Sequence, residues 1–79
     1  MVSHSDKTQR IKEIIVDGIL EVEPEFNEHS NLYDAGLDSM ATMQLLIKIE
    51  QVFGIQLPAN KLTKENFSTI SNLANIIQV

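Results

Sequence analysis

The chain has no cysteine and no tryptophan, and its 79 residues include only two prolines and three glycines. Without cysteine, neither a disulfide nor a thiolate metal site can staple the fold. A domain this short lies near the lower limit for a self-sufficient core, so close helix packing has to supply its stability. Positive charge is scarce as well. Six Lys and Arg stand against eleven Asp and Glu, a net charge of −5, which argues against a nucleic-acid binder, since that would need a basic patch to meet phosphates. That balance suits basic partners instead. No apolar run approaches the ~20 residues needed to cross a bilayer, and no signal-peptide pattern precedes the domain. The expectation is a monomer in the cytoplasm, with neither nucleic acid nor membrane as a partner.

Strand-type alternation is also missing, and there is no internal repeat or low-complexity segment. What is present is helical spacing. Residues 1–5 read as a disordered start, and residues 6–79 as one domain. From about Asp6 to Leu20, the residues Ile11, Ile14, Ile15, Gly18 and Ile19 recur at helical intervals. Pro24 stops that helix from simply continuing, and Glu21, Glu23, Glu25 and Glu28 make an acidic loop that runs on to Gly36. Phe26, Leu32 and Leu37 anchor it. A connection this long more often marks a functional loop than a structureless one.

A second helix spans about Ser39 to Phe53, and Gly54 is placed to end it. Ile55–Pro58 reads as extended, because the residue before a proline avoids helical angles. A short helical turn is expected around Lys61–Asn66. Ser68 or Thr69 then caps a last helix carrying Ile70, Leu73, Ala74, Ile76 and Ile77. Three principal helices plus one short helix predict an all-α fold, a small four-helix bundle. Its expected core is Ile15, Leu45, Leu46, Ile49, Phe53, Phe67 and Leu73.

The second helix is apolar on two sides. At ~100° per residue, with Met40 at zero, Val52, Leu45, Ile49, Phe53 and Leu46 fall between about 120° and 240° and form the predicted core stripe. Met40, Met43 and Ile47 fall on nearly the opposite side, where they either meet a covering loop or present a docking face to a partner. Methionine adapts to varied surfaces, which favours recognition.

Gly36-Leu37-Asp38-Ser39-Met40 is the most informative motif. Asp38 and Ser39 are both strong helix-start residues. A serine there sits among unpaired N–H groups at the positive end of a helix dipole, a setting that suits a phosphate ester on the serine itself. Other chemistry is poorly supported. Ser39 lacks the G-x-S-x-G setting of a hydrolase nucleophile, and no histidine is near it in sequence. His4 and His29 are isolated, and Asp34 and Asp38 lack the alternating ligands of a calcium loop. Tyr33 reads as a half-buried ring with its hydroxyl in water.

The run Leu32–Leu46, with Leu32-x-x-x-Gly36-x-Asp38-Ser39 followed by Met40, resembles the pantetheine-attachment region of acyl carrier proteins. The likeness continues through Ile49–Pro58, similar to that family's helix end and extended link, and covers roughly Ile11 to Ile77. The resemblance implies that Ser39 carries 4′-phosphopantetheine through a phosphodiester, and that Asp38 contacts the modifying enzyme or its metal, or simply caps the helix. It also implies that Met40, Met43, Gln44, Ile47 and Lys48 lie where partner enzymes dock. The implied partners are a phosphopantetheinyl transferase, an acyl- or aminoacyl-loading ligase and downstream transferases, with the chain itself no enzyme. Carriers of fatty acid synthesis scatter acidic residues along this helix. Here Ala41, Thr42, Gln44 and Lys48 stand instead, and Glu50 is its only acid after Asp38. That departure points to a specialised pathway, including those loaded with amino acids. A reading from a different class is an unmodified helical interaction module that uses the Met40/Met43/Ile47 face.

Overall fold

A computed structural model describes residues 2–78, which form three α-helices, a π turn and a 3-10 turn, with no strand among the described residues. Helix α1, His4–Ile14, begins two residues before the expected Asp6 because Ser3 caps it, its Oγ accepting the Asp6 N–H at 3.1 Å. Residues 4 and 5, expected in a disordered start, are therefore helical, and Met1 lies outside the described residues. Regular α geometry ends at Ile14 rather than near Leu20. Ile15–Ile19 widens into a π turn, Leu20 N–H donates to the Ile15 carbonyl at 3.0 Å, and the chain breaks at Gly18 with φ 141°. Gly18 falls in the apolar stripe, so periodicity alone hides the break.

The stretch of residues 20–38 is long but not structureless. Asn27 and Asn31 turn the backbone through their side-chain oxygens, which accept the N–H groups of His29 at 2.8 Å and Asp34 at 3.0 Å. Leu32 N–H donates to the Ser68 carbonyl at 2.7 Å, and Ser71 N–H donates to Glu28 at 3.0 Å. These bonds pin the loop to the start of the last helix. Phe26, Leu32 and Leu37 are buried beneath it, as the sequence predicts.

Helix α2 runs Ser39–Phe53, the predicted span. Gly54 ends it in a left-handed conformation (φ 65°), one that residues with a Cβ rarely adopt. Glu50 then fastens the extended link, its Oε2 accepting the Leu57 N–H at 3.0 Å. The short turn is a 3-10 turn at Ala59–Lys61, earlier than the expected Lys61–Asn66, because Pro58 sets its entry. A second turn follows, in which Thr63 Oγ1 accepts the Asn66 N–H at 3.1 Å. Helix α3, Ile70–Ile76, is capped by Thr69, which accepts the Asn72 N–H at 3.0 Å. Lys7 reaches from α1 to the Ile77 carbonyl, an ammonium at the negative end of α3.

The core draws on all of these parts: Ile11 and Ile15, Leu45 and Ile49 from α2, and Ile70 and Leu73 from α3 are fully buried. Burial of each such side chain contributes about 1.5–3 kcal/mol. The predicted α2 stripe is narrower than expected. Leu45 and Ile49 are sealed, Leu46 and Phe53 are half-buried, and Val52 is 45% exposed. Val52 lies at the stripe's edge, where it faces a groove lined by Arg10, Glu13 and Asp17 rather than the interior. No helix of the described residues is long and apolar enough to cross a membrane.

Candidate functional site

Sequence alone leaves both Asp38 and Ser39 eligible as the cap of α2, and the geometry separates them. Asp38 has extended backbone (φ −111°, ψ −174°), and its Oδ1 accepts the Ala41 N–H at 2.8 Å. Its carbonyl accepts the Thr42 N–H at 2.8 Å and the Thr42 hydroxyl at 2.7 Å. Ser39 is thereby the first residue of α2. It is exposed, and its hydroxyl makes no protein hydrogen bond among the described residues. The first N–H groups of a helix have no intrahelical partner, and here those of Ser39 and Met40 remain after Asp38 has taken the next two.

The turn that delivers Ser39 is built from the preceding segment. Leu37 N–H donates to the Leu32 carbonyl at 2.9 Å and Gly36 N–H to Tyr33 at 3.1 Å. Gly36 is needed for its φ of 109° rather than for a close approach, since a Cβ there would meet only Leu20 Cδ2, at an ordinary 3.8 Å.

Beside Ser39 opens a cleft of about 550 Å³. One wall is α2, through Thr42, Met43 and Leu46. The other is the turn of residues 62–67, through Leu62, Thr63, Lys64 and Phe67, with Tyr33 and Leu37 between them. Tyr33 is not simply in water as expected. Its hydroxyl donates to the Lys64 carbonyl at 3.1 Å, and the Lys64 ammonium lies 5.4 Å from its ring centroid. This second wall is the part of the site the sequence did not disclose. The only local signal for it was Leu62, a lone apolar residue in a polar stretch, 40% exposed in the fold.

The second apolar face of α2 is open. Met40 is 72% exposed, Met43 57% and Ile47 47%, and Gln44 and Lys48 beside them are exposed too. Neither the acidic loop nor the 3-10 turn covers it. The result is an exposed apolar strip next to an exposed serine. Both histidines lie away from this site. His4 Nε2 lies 3.3 Å from Ser71 Oγ, His29 pairs with Glu28 at 3.3 Å, and the cleft lining includes no histidine. Among the described residues, no cluster of side chains could hold a metal ion.

Residues 9–77 match the family described as phosphopantetheine attachment site. An aminoacyl carrier protein of Agrobacterium fabrum is 35% identical over 52 residues, 66% of this chain and 63% of that relative. Aminoacyl carrier protein 1 of Bradyrhizobium diazoefficiens is 30% identical over 66 residues, 80% of this chain and 73% of its own length. The chain thus spans slightly less than two thirds of the first curated relative. Among solved structures, a complex of an engineered Bradyrhizobium japonicum glycine:[carrier protein] ligase with a carrier protein from Agrobacterium tumefaciens and ATP matches with a TM-score of 0.78 and 32% identity, covering 89% of this chain and 94% of the matched one.

Proposed function

Because the chain belongs to the phosphopantetheine attachment site family, we propose that it is a stand-alone carrier whose Ser39 bears 4′-phosphopantetheine and whose cargo is an aminoacyl or related acyl thioester. Members of that family carry the group covalently on a serine. The observation that carries the assignment is the exposed, unbonded hydroxyl of Ser39 at the first position of α2, inside the matched residues. The surroundings fit a phosphodiester there: two helix-start N–H groups are free of protein acceptors, the dipole favours negative charge, and the cleft offers a mixed polar and apolar lining. When bound, the group supplies a thiol at the end of a flexible arm for thioester chemistry.

The chain's own residues then attach, present and recognise. Asp38 holds the helix start so that Ser39 Oγ stays at the surface. Met40, Met43 and Ile47 form the apolar centre of the docking face, and Gln44 and Lys48 its polar rim. The partners we infer are a phosphopantetheinyl transferase, a loading ligase that activates an amino acid, and downstream transferases, all in the cytoplasm. The similarity to aminoacyl carriers and to a carrier held by a glycine:[carrier protein] ligase supports an amino-acid cargo. So does α2 itself, which has Ala41, Thr42, Gln44 and Lys48 in place of the acids that fatty-acid-synthesis carriers scatter along this helix. The protein is a substrate of those enzymes and not a catalyst.

Incubation with coenzyme A, magnesium and a broad-specificity transferase should add one pantetheine unit by intact mass, and Ser39→Ala should fold and take none. The holo-protein should then accept an amino acid from an ATP-dependent ligase of the glycine:[carrier protein] type. Modification that persists in Ser39→Ala would overturn the site, and a holo-protein served only by fatty-acid-synthesis enzymes would overturn the cargo class.

A further inference from the structure

The cleft beside Ser39 contains a single cation and a single acid, Lys64 and Asp38. Asp38 is committed to capping α2. Lys64 has no such task, since among the described residues no carboxylate pairs with it and its ammonium rests over the Tyr33 ring, 5.4 Å from the centroid. Its backbone is nevertheless fixed. Tyr33 holds the Lys64 carbonyl at 3.1 Å, and the turn around it is closed by Phe67 N–H to the Thr63 carbonyl at 3.2 Å. Tyr33 belongs to the same turn that delivers Ser39, through Gly36 N–H to the Tyr33 carbonyl at 3.1 Å. The attachment serine and the lysine are thus two walls of one small cleft, joined through a shared tyrosine.

A phosphodiester on Ser39 Oγ would place a negative charge next to the Asp38 carboxylate, and like charges this close repel. Lys64 is the one side chain of the cleft able to offset that charge, and a lysine ammonium on its flexible stem can leave the half-buried Tyr33 ring for a phosphate oxygen. On the reading of Ser39 as the attachment point, we propose that Lys64 is a positioning residue for the arm: it pairs with the phosphodiester and turns the pantetheine into the cleft, along Met43, Leu46 and Leu62, instead of leaving it to radiate into solvent. Lys48 and Lys61 do not line the cleft and have no part in this.

The test compares wild type, Lys64→Gln and Lys64→Arg, each converted to the holo form and checked by intact mass. Tyr33 is the only tyrosine and there is no tryptophan, so its ring resonances and fluorescence are assigned without ambiguity and report on the cleft that it lines with Lys64. Wild type and Lys64→Arg should show nuclear Overhauser contacts from the arm's paired methyl groups to Met43, Leu46 or Leu62, and a change at Tyr33 between apo and holo forms. Lys64→Gln should be modified and melt like wild type, yet lose both signals, with its apo-to-holo shifts confined to the first turn of α2. Raising the salt to about 1 M, where the Debye length is ~3 Å, should move wild-type holo-protein toward the Lys64→Gln spectrum without any substitution. Fully modified wild type lacking those contacts, or Lys64→Gln keeping them, would overturn the proposal. Absence of mass addition would instead overturn the assignment of Ser39, on which the proposal stands.

Discussion

Substitution of Asp38 separates two roles that the sequence leaves superimposed, capping of α2 and recognition by a modifying enzyme. The cap rests on one hydrogen bond, Ala41 N–H to Asp38 Oδ1 at 2.8 Å. Its loss in Asp38→Ala should cost about 0.5–2 kcal/mol. For a domain of this size each kcal/mol moves the Tm by roughly 4–8 °C, so the variant should melt about 2–16 °C lower. Asparagine caps about as well as aspartate, and Asp38→Asn should therefore lose only the favourable charge at the helix start, about 0.3–1 kcal/mol. Thermal melts by far-UV circular dichroism, run beside the initial rate of pantetheine transfer, decide the matter. A carboxylate that only caps predicts that Asp38→Asn is modified at close to the wild-type rate and that the Asp38→Ala rate recovers on cooling below its melt. An unchanged Tm in Asp38→Ala would refute the capping argument. A slow but fully folded Asp38→Asn would show that the carboxylate is read by the transferase.

Ile49→Ala should destabilise by about 2–5 kcal/mol, because the side chain is fully buried, whereas Val52→Ala should cost well under 1 kcal/mol; equal losses in urea titrations would mean the core face of α2 is rotated from that described. Met43→Glu and Ile47→Glu should leave the Tm nearly unchanged and slow loading by the ligase, since a charge would be buried unpaired in the docked complex, and unfolding by either would put that face in the core. Glutamine at Glu21, Glu23 and Glu25 together should leave stability level or slightly raised through reduced like-charge repulsion, and a marked fall in Tm would reveal a contact of these side chains.

Helix α2 was legible because its signals are local. Asp38 begins it, Gly54 ends it, and the two apolar faces between them follow from spacing alone. Leu45, Ile49, Met40, Met43 and Ile47 lie where the helical angle puts them. Val52 failed at the edge of the stripe, because exposure there depends on which residues of α1 and the π turn happen to face it, and Arg10, Glu13 and Asp17 stand there beside Ile14 and Val16. The break at Gly18 was hidden for a different reason: glycine is neutral in an apolar pattern, and only its backbone angle reveals the π turn. The cleft wall was beyond local reading altogether. Tyr33 and Lys64 are 31 positions apart, and nothing in either neighbourhood specifies the hydrogen bond that joins them. The exposed serine was thus readable, and the surface opposite it was not.

Met40 and Met43 are both exposed on the open face of α2, within a turn of Ser39. Peroxide would convert them to sulfoxides, larger and strongly polar, in the middle of an apolar contact surface, while the sealed aliphatic core offers it nothing to oxidise. Protein oxidised before the pantetheine is attached should therefore keep its melt and its helix content yet, once converted to the holo form, load slowly, and methionine sulfoxide reductase should restore the rate. With no cysteine in the polypeptide, oxidation of the chain itself would fall on its contact surface rather than on its fold.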